Sequence, residues 1–138
     1  MTQNGEFHRE IVHSLPGGSG HGPGMVPGVK ANGFIFFSAV RGGGPDRSLG
    51  MPDDTEAQAR QAFKNLDLLL QGAGGTLDNV VKVNAYFQDL EYRAAFHTVW
   101  MEVFPTNPPA RMAMQVANAS ASPTGNAHFV LEVIAFVP

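Results

Sequence analysis

A chain of 138 residues with 43% hydrophobic side chains and a formal charge of −3 can bury a core without metal or disulfide staples and fits a single domain, residues 1–138. Cysteine is absent, which excludes a disulfide framework and a thiol nucleophile. The Lys and Arg residues are scattered rather than striped, so no nucleic-acid partner is expected. Met1-Thr2-Gln3-Asn4-Gly5-Glu6 leads into neither a signal-type apolar run nor a membrane span, which predicts a soluble, cytoplasmic protein without a membrane partner.

Phe7 to His13 alternates loosely and predicts a first strand, which runs into the loop Leu15-Pro16-Gly17-Gly18-Ser19-Gly20-His21-Gly22-Pro23-Gly24. Phosphate cradles open into a helix N-terminus. This loop lacks the Gly-Lys-Ser/Thr ending and is followed by Pro27 and a strand, so residues 16–24 read as a surface loop or a lid over a pocket. Phe34 to Val40 is continuously apolar and predicts a strand covered on both faces. Asp53, Asp54 or Thr55 can cap a helix whose apolar positions, Ala59, Ala62, Phe63, Leu66, Leu69 and Leu70, recur every three or four residues until Gly72, Gly74 and Gly75 end it.

Val80 to Phe87 alternates, with Val81, Val83, Ala85 and Phe87 expected on one face and Val80, Lys82, Asn84 and Tyr86 on the other. A second helix is expected from about Tyr92 to Phe104, burying Phe96, Val99, Trp100 and Val103. After a Pro-rich turn come a strand carrying Arg111, a turn-rich stretch from Asn118 to Gly125, and a last strand from about His128 to Phe136. The order β, β, α, β, α, β, β predicts an α+β fold: one mixed or antiparallel sheet with two helices packed on one face. The other face would leave apolar strands uncovered, which predicts a homo-oligomer.

Arg111 is the most informative residue. Asn107-Pro108-Pro109-Ala110 delivers it from a rigid turn onto an otherwise apolar strand. Proline fixes φ and biases the residues before it toward extended geometry, so the direction of Arg111 is set locally. A guanidinium fork fits a carboxylate with two parallel hydrogen bonds. The competing reading is an edge-strand arginine paired with a surface acid.

Lys82 within Asp78-Asn79-Val80-Val81-Lys82-Val83, then Asp89-Leu90, Pro109-Ala110-Arg111 and Leu131-Glu132-Val133-Ile134-Ala135, taken in order, resemble the reactive intermediate deaminase family, RidA or YjgF-like. The resemblance covers nearly the whole chain. It implies a chorismate-mutase-like α+β fold assembled as a homotrimer, with pockets between neighbouring subunits. It also implies hydrolysis of 2-imino and enamine acids to 2-keto acids and ammonium, with no cofactor. The family's carboxylate-binding arginine maps onto Arg111, consistent with a clamp that holds a 2-imino acid while water attacks the adjacent C=N.

The chain departs from the family pattern inside the implied pocket. Val130 stands where the water-positioning glutamate belongs, and Glu132 matches a second acid two residues on. Strand geometry places Glu132 on the same face about 6.5 to 7 Å further along, too far for the same water. Its simpler role is to pair with a basic group or cap backbone at a subunit contact. Met25 replaces the family's loop tyrosine, His97 its helix asparagine, Ala113 its small or thiol residue, and Ala39 its glycine after the strand serine. Ala39 still offers its backbone N–H to a carboxylate or carbonyl oxygen, with less room than the glycine leaves.

His97 is the remaining proton-transfer candidate, against a space-filling role on the helix. His8, His13, His21 and His128 lack metal-ligand spacing, so no metal site is expected. Three functions fit: a RidA-like deaminase acting on a small carboxylate through Arg111 and His97, with Ala39, Met25, Ala113 and Val130 around the substrate; a carboxylate-binding module without turnover; or a divergent, pathway-specific enzyme with a different carboxylate substrate.

Overall fold

The computed structural model describes residues 8–13, 24–43, 50–122 and 125–138. Its strands are β1 (Glu10–Val12), β2 (Gly28–Ala31), β3 (Phe34–Phe37), β4 (Val80–Phe87), β5 (Ala110–Gln115) and β6 (Phe129–Phe136). Its helices are α1 (Thr55–Gly72) and α2 (Arg93–Val103). The strands form one sheet in the order β1-β2-β3-β6-β4-β5. Every pairing is antiparallel except β4 with β5, which are parallel and joined through α2. The mixed α+β sheet with two helices is therefore as expected. Among the described residues no helix is long and apolar enough to cross a membrane.

Local chemistry explains both ends of α1. The Asp54 carboxylate accepts the Glu56 N–H at the N-terminus. At the other end Gly74 adopts φ +86°, and the N–H groups of Gly74 and Gly75 return to the carbonyls of Gln71 and Leu70. This is a Schellman ending, which glycine enters without a Cβ penalty. Ala59, Ala62, Phe63, Leu66 and Leu70 are buried against α2 and the sheet, as the helical spacing predicts. Phe63, Phe87, Phe96, Trp100, Phe104 and Phe129 meet at ring separations of 4.7 to 6.3 Å and form the aromatic centre of the core.

Four sequence expectations change. The first strand is shorter than residues 7–13, and Phe7 lies outside the described residues, as do residues 16–23 of the suspected lid. The strand β2 was absent from the expected order. It pairs with β3 through the two-residue turn Asn32-Gly33, both residues at positive φ (52° and 86°), the twist that a tight hairpin requires. Only four residues long and issuing from a loop, Gly28-Val29-Lys30-Ala31 carries too little alternation to announce itself.

In β4 a register shift between Val80 and Lys82 inserts one extra residue. Val80 is buried with Val83, Ala85 and Phe87, while Val81 is 43% exposed, the reverse of the uniform alternation. In β3, Ile35 and Phe37 are buried on the helix side, but Phe34 and Phe36 are 41% and 49% exposed, so one chain covers only one face of this strand. Phe136 packs tilted against Phe34, ring centres 4.9 Å apart, and extends the uncovered apolar surface.

Gln58 is the buried polar residue that ties these layers together. Its Nε2 donates to the carbonyls of Pro52 and Asn126, and its Oε1 accepts the His128 N–H, joining the start of α1 to the entry of β6. Gly42 packs so closely over it that a Cβ there would lie 2.2 Å from the Gln58 carbonyl oxygen. Substituting Gln58→Leu removes the partner of the Pro52 and Asn126 carbonyls and of the His128 N–H, and a loss of about 1 to 3 kcal/mol is expected in urea unfolding. A change below about 0.5 kcal/mol would show that the network is not what fixes β6.

Candidate functional site

Arg111 is the second residue of the edge strand β5 and pairs in register with Val83, whose side chain is buried under the helices. Paired residues of neighbouring strands share a face, so Arg111 points toward α2. Its guanidinium carbon lies 4.7 Å from the centre of the Trp100 ring, a cation–π contact with a residue that also belongs to the core. Its Nη1 lies 3.1 Å from His97 Nδ1. Arginine has only donors, so Nδ1 accepts and the ring proton sits on Nε2 in this arrangement.

Burial pushes the Arg111 pKa down from its ordinary value, and the neighbouring charge of Arg93 adds to the effect. The group nevertheless stays charged at any physiological pH. Among the described residues both ion pairs belong to Arg60, with Glu56 and Glu102. No described acid therefore neutralises Arg111. The turn before it is tighter than the prolines imply: Asn107 adopts φ +46°, a left-handed conformation that asparagine tolerates better than most residues, in place of the expected extended geometry. Ala113 follows Arg111 on the same face, paired with Ala85 and packed against the core.

A second group of residues lies on the other face of the sheet. There a cavity of about 370 Å³ is lined by Ser38, Ala39, Arg41, Tyr86, Val130 and Glu132, among others. Tyr86 and Val130 are register partners across β4 and β6, as are Asn84 and Glu132. The backbone around Ala39 is fixed on both sides: Ser38 N–H donates to the Pro27 carbonyl, and Val40 forms a bridge with Leu131. The Ala39 N–H between them has no hydrogen-bond partner among the described residues and remains a free donor at the cavity.

Glu132 accepts a 2.9 Å hydrogen bond from Asn84 Nδ2 and forms no ion pair among the described residues. The Asn84 Oδ1 beside it is buried without a hydrogen-bond partner.

Arg41 is a lining residue that the sequence reading passed over. Its Nε donates to the Ala119 carbonyl at 2.8 Å, burial pushes its pKa down, and no described acid pairs with it. An arginine directly after an apolar strand and before Gly42-Gly43 was the available signal. Asn65 holds this segment to α1 by donating to the carbonyls of Arg41 and Gly43. Met25 is 61% exposed and joins neither group, although its neighbour Val26 accepts a hydrogen bond from the Ser38 hydroxyl.

Of the residues singled out from sequence, one chain thus brings Arg111, His97 and Ala113 together on the helix side, and Ala39 with Val130 on the opposite face. Among the described residues no group of three or more His, Cys, Asp or Glu could hold a metal ion.

Comparison with known proteins matches residues 24–137 to the family described as Endoribonuclease L-PSP. The chain is 34% identical over 107 residues, 78% of its own length and 70% of the other's, to the mitochondrial protein MMF1 of Saccharomyces cerevisiae. It is 31% identical over 109 residues, 79% of its length and 58% of the other's, to the chloroplastic Reactive Intermediate Deaminase A of Arabidopsis thaliana. Organellar names among relatives leave the expected cytoplasmic location without support. Among solved structures, RidA from the Antarctic bacterium Psychrobacter sp. PAMC 21119 superposes with a TM-score of 0.80 at 26% identity, covering 93% of this chain and all of that one. The edge-strand arginine, the cavity across the sheet and the strand order thus sit on a known scaffold, and the chain belongs to the Endoribonuclease L-PSP family, which takes in the RidA and YjgF-like proteins.

Proposed function

We propose that this protein binds a small 2-imino or enamine carboxylic acid through Arg111 and hydrolyses it to the 2-keto acid and ammonium. The observation that carries the reading is the Arg111 guanidinium: half-buried, braced by Trp100 and His97, and without an acid partner among the described residues. A carboxylate docked there gains charge-assisted bidentate hydrogen bonds in a partly desolvated setting. Water then adds to the imine carbon, its proton passes to nitrogen, and the resulting carbinolamine collapses to a ketone as ammonia leaves. In this reading the Ala39 N–H supports the oxyanion, and His97 takes up the water's proton at Nδ1 once a bound carboxylate draws Arg111 away from it, then returns a ring proton to the leaving nitrogen.

Arg111 and the Ala39–Val130 group lie on opposite faces of one sheet, so a shared pocket needs two copies of the chain. The same reading therefore includes a homotrimer in which the Arg111 edge of one copy closes the cavity of the next. The exposed Phe34, Phe36 and Phe136 supply an apolar surface for that contact, and burial of such aromatics is strongly favourable. Light scattering is expected to give three chain masses. Replacing Phe36→Glu is expected to shift the protein toward smaller species. A parent that is monomeric at micromolar concentration would remove the shared pocket.

A second reading, a carboxylate-binding module without turnover or an enzyme with a different carboxylate substrate, is favoured by Val130. Among the described residues no acid lines the cavity beside it except Glu132, which is held by Asn84. Turnover of 2-iminopropionate generated in place by a dehydratase separates the two. The deaminase reading expects ammonium release above the spontaneous rate, reduced on the order of a hundredfold in Arg111→Ala, the worth of two charge-assisted hydrogen bonds. His97→Asn at parental rate would end the proton-transfer role of His97. Binding of 2-ketobutyrate without turnover, together with a gain of activity in Val130→Glu, would establish the binding module instead.

A further inference from the structure

Val40 and Leu131 exchange hydrogen bonds in both directions, and both are buried on the helix side. Arg41, which follows the one, and Val130, which precedes the other, therefore come level on the outer face. Both line the cavity there, together with Tyr86, the partner of Val130 across β4 and β6. An apolar floor at Val130 thus lies between a guanidinium and a phenol.

Arg41 is held at both ends. Its carbonyl accepts from Asn65 Nδ2, and its Nε donates at 2.8 Å to the carbonyl of Ala119, a fully buried residue whose own N–H is fixed by Gln88 Oε1. With Nε engaged, Nη1 and Nη2 have no hydrogen-bond or ion-pair partner among the described residues, and neither has the Tyr86 hydroxyl. A braced guanidinium that burial has partly stripped of water takes up an anion with little further ordering of its side chain. The acceptors of the cavity are already in use: Glu132, its one described acid, accepts from Asn84 Nδ2 and makes no ion pair with Arg41. One unpaired cation with a carboxylate already in the same wall suits a singly charged acid, because a phosphate dianion would leave excess negative charge beside Glu132.

We propose that the far end of the ligand is a second carboxylate, taken by the Arg41 Nη groups and the Tyr86 hydroxyl, so that the substrate is a 2-imino dicarboxylic acid. This rests on the carboxylate-clamp reading of Arg111 and its shared pocket: Arg111 of one copy holds the 2-carboxylate, and Arg41 of the next holds the other. The Ala39 N–H stays with the reacting carbon. Arg41 is then a specificity-determining residue, a role that its bond to Ala119 alone does not require.

Calorimetric titration of the assembled protein with 2-ketobutyrate, 2-oxoglutarate and 2-oxoadipate tests this. The parent is expected to bind at least one of the two dicarboxylates roughly tenfold tighter than 2-ketobutyrate, an advantage that shrinks as salt is raised. Arg41→Gln keeps a donor for the Ala119 carbonyl but removes the charge, and is expected to bring the ratio near one, with part of it restored in Arg41→Lys. A parent ratio of one, or the parental ratio in Arg41→Gln, overturns the proposal and leaves Arg41 as a structural tie to Ala119. If Arg41→Gln does not fold, Val130→Glu takes its place: a carboxylate set beside Arg41 is expected to pair with it and abolish the dicarboxylate preference, and an undiminished preference overturns the proposal. If 2-ketobutyrate binding is lost in Arg111→Ala while the parent shows no dicarboxylate preference, this inference alone fails. If Arg111→Ala binds 2-ketobutyrate like the parent, the clamp fails and this inference falls with it.

Discussion

A guanidinium stacked on Trp100 and braced by His97 is the contact around which the rest of the chain is arranged. Holding a charge at a partly buried edge without a described acid costs free energy that only packing can offset. The aromatic centre supplies the packing. Trp100 is fixed by Phe63, Phe96 and Phe104, so the platform beneath Arg111 cannot swing away. The parallel pairing of β5 with β4 then sets the strand's register, and with it the face on which Arg111 emerges. Shifting that register by one residue would send the guanidinium to the other side of the sheet, away from α2.

A single residue at the start of β4 has comparable reach. The bulge between Val80 and Lys82 restores the alternation that places Val83, Ala85 and Phe87 in the core and Asn84 and Tyr86 on the outer face. Tyr86 and Asn84 are the partners of Val130 and Glu132, so the cavity wall is built by the same correction. Gln58 works from the opposite end: its buried side chain accepts the His128 N–H and so fixes the entry of β6.

Long periodic segments were legible in the sequence, and segments governed by single residues were not. Both helices, the parallel and antiparallel core strands, and the buried faces of α1 and α2 follow from spacing that repeats over several turns. The short β2 strand, the bulge at Val80 and the left-handed Asn107 depend on one or two residues each. Periodicity carries no information at that scale. Arg111 and His97 could be singled out because their residue types are conspicuous where they stand. Their mutual 3.1 Å contact could not, because it needs the crossing of α2 over β5. Arg41 was missed for the reverse reason: a basic residue beside three glycines reads as loop, and only the fold turns it into a cavity wall.

The distribution of these groups over two faces constrains any chemistry the protein performs. A sheet is about 10 Å from its nearest packed layer, and side chains on opposite faces cannot touch a common small molecule. Arg111 and the free Ala39 N–H can therefore serve one substrate only across an interface between copies. In the assembly proposed above, the groups that hold the carboxylate and those that face the reacting carbon come from different chains. Substitutions at Ala39, Val130 and Arg41 would then alter the chemistry without disturbing the clamp, whereas changes at Trp100 would loosen the clamp and the core together. The clamp side and the Val130 side of the cavity are thus free to vary independently. A scaffold divided in this way can keep its grip on a carboxylate while exchanging what it recognises at the other end.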